Sequence, residues 1–206
     1  DDAAAWLRLA RAVREIRPRD EREKNFLLER ASTAAYIAYQ RAKDRAVEAD
    51  SLAMVGRTLA DRQQWRNALD AMRLALLLRE SADLRGDYER LRLEHGFRML
   101  DFTVDSDAAA PRACVQFSEE LPGKKTDFSP FVAVAGIDKP AISVNEKQLC
   151  VEGLKHGERY TVTLRAGLPS MVNETLAKTT ELTVFVRDRK PFVRFSGKAF
   201  VLPRTG

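Results

Sequence analysis

Apolar residues recur at helical spacing along the first half of the chain and at strand spacing along the second. Trp6, Leu9, Ala10 and Val13 fall on one helix face, as do Leu84, Tyr88 and Leu91 further on. From residue 98 short alternating runs take over. They are ACVQF (Ala113–Phe117), FVAVAG (Phe131–Gly136), AISVN (Ala141–Asn145), QLCVEG (Gln148–Gly153), YTVTLRA (Tyr160–Ala166), ELTVFVRD (Glu181–Asp188) and FVRFSG (Phe192–Gly197). Proline marks the same divide: residues 1–97 hold only Pro18, and the other seven of the eight follow. The pattern predicts an α+β chain in separate domains, with helices over residues 1–97 and an antiparallel β-sandwich over residues 98–206. Residues from about 190 to 206 are expected to lead into a next domain.

Inside the helical half, a frame of about 34 residues starting at Ala49 matches tetratricopeptide spacing. It sets Leu52, Val55, Gly56 and Leu59 on a first helix and Trp65, Ala68, Met72 and Ala75 on the turn and second helix. Small residues at such positions let two antiparallel helices approach closely. Glu80 stands where that pattern has a helix-ending proline, and a frame shifted back to Glu15 keeps only Ala34 and Ala38. The expectation is a short TPR-like hairpin stack packed through Leu52, Gly56, Trp65, Ala68, Met72 and Ala75. Such a stack can offer a groove to a protein partner, or it can be a spacer packed on the β-domain. Fewer than three clear repeats favour the spacer.

Charge narrows the function classes. The 206 residues carry a net charge of +5 and a pI near 9.4, which raises nucleic acid as a partner. The arginines, however, alternate with carboxylates, as in RPRDEREK (Arg17–Lys24) and DYERLRLEHG (Asp87–Gly96), the pattern of solvated helix faces with ion pairs. No nucleic-acid partner is expected. The longest apolar run, Leu74–Leu78, is too short to span a bilayer, so membrane contact would need an anchor outside this chain. Without a recognisable leader at Asp1, the chain reads as cytosolic or as a segment of a longer exported precursor.

Chemistry is sparse. His95 and His156 lack neighbours at metal-ligand spacing. His95-Gly96 reads as a helix C-terminus and His156-Gly157 as a turn. Nucleotide-binding loops and nucleophile elbows are missing, so no enzyme activity, cofactor or metal is expected. VLPRTG (Val201–Gly206) fits a wall-sorting pattern, but it reads better as the start of the next domain. Asn173-Glu174-Thr175 fits a glycosylation acceptor, which matters only in a eukaryotic secretory context. A sugar-binding sandwich would need aromatics in a row. Phe128, Phe131 and Tyr160 instead fall in separate segments, and Trp6 and Trp65 lie among the helices.

Cys114 and Cys150 are the only cysteines, each in the middle of an alternating run. Cys150-Val151-Glu152 begins like the Cys-x-Glu-Gln motif of internal thioesters, but Gly153 occupies the position of the acyl-donating glutamine. A disulfide and a pair of buried free thiols both remain open on these residues alone.

Three stretches carry a resemblance. They are PRACVQFSEEL (Pro111–Leu121), QLCVEGLKHGERYTVTLRAGLPS (Gln148–Ser170) and FVRDRKPFVRFSGKAFVLPRTG (Phe185–Gly206). Together with WRNALDAMRLALLL (Trp65–Leu78) and GFRMLDFTVDSDAAAPRACVQF (Gly96–Phe117), they resemble the N-terminal region of bacterial alpha-2-macroglobulins. The resemblance implies a helical segment followed by a macroglobulin, Ig-like β-sandwich. The whole protein would be a protease trap of the cell envelope or periplasm, with proteases as partners and in some forms a lipid anchor in the inner membrane. Such traps use a bait segment and a thioester; this chain matches neither, so no capture residue carries over. What the resemblance does imply is a disulfide between Cys114 and Cys150, as in an exported module. The expected role is a non-catalytic structural segment of such an inhibitor. The alternative is an envelope adaptor that binds a partner through its TPR-like helices.

Overall fold

The computed structural model describes residues 2–123 and 126–189. Five helices come first: α1 (Ala3–Glu15), α2 (Glu21–Arg41), α3 (Arg45–Asp61), α4 (Trp65–Leu78) and α5 (Ala82–His95). Most starts are set by side-chain caps that satisfy N–H groups left without helical partners. Asp2 accepts from Ala4, Asp20 from Glu23, Asp44 from Ala46 and Val47, and Ser81 from Leu84. The exception is α4, with no side-chain cap and no acidic residue in its first turn. None of the described helices is long and apolar enough to cross a membrane.

Each helix packs on the next, and α1 also reaches α3. Small residues make this possible. Ala34, Ala35 and Ala38 of α2 are buried with Leu7, Ala10 and Met54. A second cluster joins Leu52, Ala68, Leu69, Met72, Ala75 and Leu76 to Leu84, Tyr88 and Leu91, with Trp65 packed at its edge. Gly56 sits at the crossing of α3 and α4. A Cβ there would stand 2.6 Å from Met72 Cγ and 3.2 Å from the Ala68 carbonyl oxygen, so the approach requires glycine. The frame begun at Glu15 does not mark a hairpin, because the uninterrupted helix α2 runs through it and carries both Ala34 and Ala38.

Seven strands follow among the described residues: β1 (Met99–Asp105), β2 (Arg112–Phe117), β3 (Val132–Val134), β4 (Ala141–Asn145), β5 (Gln148–Glu152), β6 (Arg159–Leu164) and β7 (Thr180–Phe185). They form two antiparallel sheets, one in the order β1-β2-β5-β4 and one in the order β3-β6-β7. Period-two alternation builds the core. Ala113, Val115, Phe117, Leu149 and Val151 from the larger sheet meet Val132, Val134, Tyr160, Val162, Leu164, Leu182 and Val184 from the smaller. Strand β1 is absent from the alternating runs read along the sequence. A bulge between Met99 and Asp101 breaks its period there, and only Phe102 and Val104 alternate cleanly inward against Asp101, Thr103 and Asp105. The run Phe192–Gly197, and with it the expected lead into a next domain at 190–206, lies outside the described residues.

Cys114 and Cys150 are directly opposed in the β2–β5 ladder and joined as a disulfide, 36 residues apart in sequence. They belong to the outward phase of the sheet, in a cross-strand row with Thr103 and Ser143, yet both are buried by their neighbours. The bridge therefore staples two central strands from outside the hydrophobic core. Closing a loop of this length stabilises the fold by roughly 4 kcal/mol on the chain-entropy estimate. Denaturant titration of the double variant Cys114→Ser, Cys150→Ser should show a loss of about that size. Unchanged stability would contradict the staple.

Candidate functional site

The described residues place no group of three or more His, Cys, Asp or Glu side chains where they could hold a metal ion. Both cysteines are spent in the disulfide. Gly153, the position a thioester would need as glutamine, takes a φ of +74° in a turn after β5, where a side chain is strained. The polar cluster most strongly built is instead the junction between α4, α5 and one end of the sandwich.

Two loops form that end. One follows β2 and carries Glu119; the other precedes β7 and carries Glu174. The second loop is folded back on itself. Leu176 N–H donates to the Leu168 carbonyl at 2.8 Å, and the Ser170 N–H and hydroxyl both donate to the Glu174 carbonyl, at 2.9 and 2.8 Å. Asn173 takes the left-handed conformation, φ +57°, that turns the chain. The two loops are tied together where Met171 N–H donates to the Glu120 carbonyl at 2.8 Å.

Into this end reaches Arg66, in the first turn of α4. Its Nη2 donates to Glu119 Oε1 at 2.8 Å, and its Nη1 pairs with Glu174 Oε1. The other oxygen of Glu174 accepts from the Phe97 backbone N–H at 2.7 Å. The Glu174 side chain is only 2% exposed, against 26% for Arg66, so the pair is shielded from water and weakly screened by salt. Burial works against the Arg66 charge. The hydrogen bond to Glu119 and the charge of Glu174 outweigh it, and the pKa of Arg66 is raised above its ordinary value. The guanidinium fork suits two carboxylates at once, a geometry that a lysine ammonium does not reproduce. The acids also bring negative charge towards the start of α4, the one helix without an acid or side-chain cap of its own there.

The end of α5 completes the junction. Arg92 Nη2 donates to the Thr175 carbonyl and hydroxyl oxygens, both at 2.9 Å. His95, in the last turn, stacks flat on Trp65 with ring centroids 3.8 Å apart. Gly96 then lets the chain pass: a Cβ there would lie 2.5 Å from the Arg92 carbonyl oxygen and 3.1 Å from Glu174 Oε2. Phe97 enters the sandwich core beside Phe117, with centroids 5.1 Å apart. Tyr88, buried nearby on α5, has a raised pKa. Burial is the main cause, opposed by Arg92 and assisted by Glu174.

The helical face built by α1, α3 and α5 is charged. A cavity of about 210 Å³ there is lined by Arg14, Arg57, Asp61, Asp87, Arg90 and Glu94 among others. Its arginines are held internally. Arg14 grips Asp61 at 2.6 and 3.2 Å, while Arg57 and Arg90 share Asp87 at 2.8 and 2.6 Å. Burial would raise the Asp87 pKa, but the hydrogen bond and charge of Arg57, with help from Arg90, hold it below the usual range. On the sandwich, Phe128 and Tyr160 are buried in the core, so they offer no platform for a sugar.

Sequence reasoning singled out the two cysteines and the repeat residues Leu52, Gly56, Trp65, Ala68, Met72 and Ala75. The structure puts the former on the sandwich and the latter in the α3–α4 crossing. It brings only Trp65 near the junction, through its stack on His95. Arg66, Arg92, Glu119 and Glu174 were missed, because a lone charged residue in a loop or a terminal helical turn carries no periodic signal of burial.

No family model matches the chain, and no curated protein matches it. Among solved structures, about half of the chain is similar to bacterial alpha-2-macroglobulins. The native conformation of E. coli alpha-2-macroglobulin is 24% identical with a TM-score of 0.41, over 50% of this chain and 7% of that one. Salmonella alpha-2-macroglobulin reacted with methylamine is 27% identical with a TM-score of 0.43, over 52% of this chain and 7% of that one. The E. coli fragment spanning domains MG0-NIE-MG1 is 24% identical with a TM-score of 0.43, over 53% of this chain and 38% of that one.

Removing the Glu174 carboxylate leaves Arg66 without one partner and the Phe97 N–H without an acceptor. Glu174→Ala should lower stability by on the order of 3 kcal/mol in chemical denaturation, and Glu174→Gln, which keeps an acceptor, by clearly less. Equal stability of Glu174→Ala and the parent would contradict the geometry.

Proposed function

We propose that this chain is a non-catalytic, N-terminal structural segment of a bacterial alpha-2-macroglobulin-like protease inhibitor. The observation that carries the reading is the pairing of Cys114 with Cys150. The two stretches that most resemble the family, PRACVQF and QLCVEGL, lie side by side as β2 and β5 with their cysteines opposed. A four-on-three antiparallel sandwich behind a helical segment accords with the same reading. The disulfide also suits an oxidising compartment, which supports a location in the periplasm or at the cell envelope. Proteases are partners of the whole protein, met by a bait segment and a thioester elsewhere in it. The helical unit is a TPR-like spacer, and residues 98–206 begin the chain of macroglobulin domains.

An adaptor would present an open, apolar groove between its helices. The α1–α3–α5 face spends its arginines on its own carboxylates, which favours the spacer; the cleft an adaptor would use is the one of about 350 Å³ between α1 and α2, lined by Val13, Ile16, Pro18, Leu27 and Leu28. The deciding experiment uses the full-length parent protein and a version lacking residues 1–206, each challenged with a broad-specificity protease. The proposal expects SDS-stable protease adducts from both, with the shortened protein less heat-stable. Loss of adducts from the shortened protein alone would put capture machinery in this segment. No adducts from either would remove the family reading.

A further inference from the structure

The helical unit and the sandwich meet through a thin junction. Helices pack mainly on helices and strands on strands, and no described helix makes an extensive contact with a described strand. The chain crosses between them at 96–98. Within that crossing, Phe97 is sunk in the sandwich core, and Arg98 is already tied to the sheet: its N–H donates to the Ser118 hydroxyl at 3.1 Å and its carbonyl accepts from Ser118 N–H at 2.9 Å. On the other side, Gly96 N–H still closes the end of α5 on the Arg92 carbonyl at 3.0 Å. Between these two anchored ends lies Gly96, itself held through its N–H and through its carbonyl, which accepts from Arg98 Nη1 at 3.2 Å, so a pivot there has to be released.

We propose that Arg66 and Glu174 form a conformational lock, holding the helical unit and the sandwich as one rigid body by clamping a hinge at Gly96. Three features of the geometry point this way. Arg66 comes from a different helix than the one that leads into the crossing, so it fixes a rotation that the covalent connection leaves free. Its two carboxylates come from loops after β2 and before β7, one from each sheet, so a single side chain grips both layers of the sandwich. Glu174 also accepts from the Phe97 N–H, one residue beyond the pivot, so the carboxylate that holds the far side of the junction holds the hinge as well. Arg92, bonded to Thr175, adds a second strut from α5.

With Arg66 removed, Glu174 would keep its burial without its cation, and the simplest relief is to admit water by opening the junction. Neither half loses core contacts in that motion, since Phe97 and Phe117 stay together in the sandwich and Trp65 and His95 stay together on the helices. Opening therefore separates two folded bodies.

The test is nitrogen-15 relaxation on the full chain, comparing rotational correlation times for amides of α1–α5 with those of β1–β7. The parent protein should give one common time. Arg66→Met should give two different times, with dispersed resonances from both halves. Arg14→Met, which breaks the Arg14–Asp61 pair away from the junction, should keep the common time. The double variant Glu119→Gln, Glu174→Gln removes both charges at nearly constant volume. It should also separate the times, and it serves in place of Arg66→Met should that chain fail to fold. A common time in a folded junction variant would overturn the lock, and so would two times in the parent protein.

Discussion

A carboxylate taken almost wholly out of water must find partners that replace the water, and Glu174 finds them in both halves of this chain. One oxygen meets Arg66 at the start of α4, and the other meets the backbone of Phe97 as the chain enters the sandwich. Much of the local sequence follows from that requirement. Gly96 is bare because Glu174 and the Arg92 carbonyl leave no room for a Cβ. Ser170 and Asn173 fold the loop so that it offers Glu174 inward. Arg66 takes the first turn of a helix that lacks a cap of its own, where nearby acids are welcome.

The rest of the molecule is two modest bodies stabilised by different means. The helical unit relies on small residues: alanines along α2 and glycine at the α3–α4 crossing let the backbones close up, and leucines with Met72 and Tyr88 fill the remaining space. The sandwich relies on period-two alternation plus one covalent staple. Because Cys114 and Cys150 face outward, the bridge adds constraint without occupying core volume, and the inner rows stay wholly hydrocarbon or aromatic around Phe117 and Leu149. Both devices suit a part whose task is to hold shape, which is the role proposed for it within a larger inhibitor.

Much of this fold was legible in the sequence, for identifiable reasons. The switch from a three-and-four period to a two period near residue 97 corresponds to the end of α5 at His95 and the start of β1 at Met99. Six of the seven described strands coincide with alternating runs, to within a few residues at their ends. The seventh, β1, escaped because its bulge displaces Leu100 outward and interrupts the alternation. The single helix α2 could not be told from a hairpin by repeat spacing, since Ala34 and Ala38 fit either. The junction was the least legible part. Glu174 sits in the polar triplet Asn173-Glu174-Thr175, which reads as surface, and its burial arises only when α4 and the loop before β7 are brought together in space. Long-range ionic pairing leaves no periodic trace in a chain.

The amide of Phe97 reports most directly on whether that pairing organises the molecule. Its N–H points at a buried carboxylate in the one stretch where the two bodies are joined. Native-state hydrogen exchange should find it among the most protected amides, opening only with global unfolding, as core strand amides do. Exchange at the rate of an exposed loop, in a protein whose β2 and β5 amides remain protected, would contradict the account.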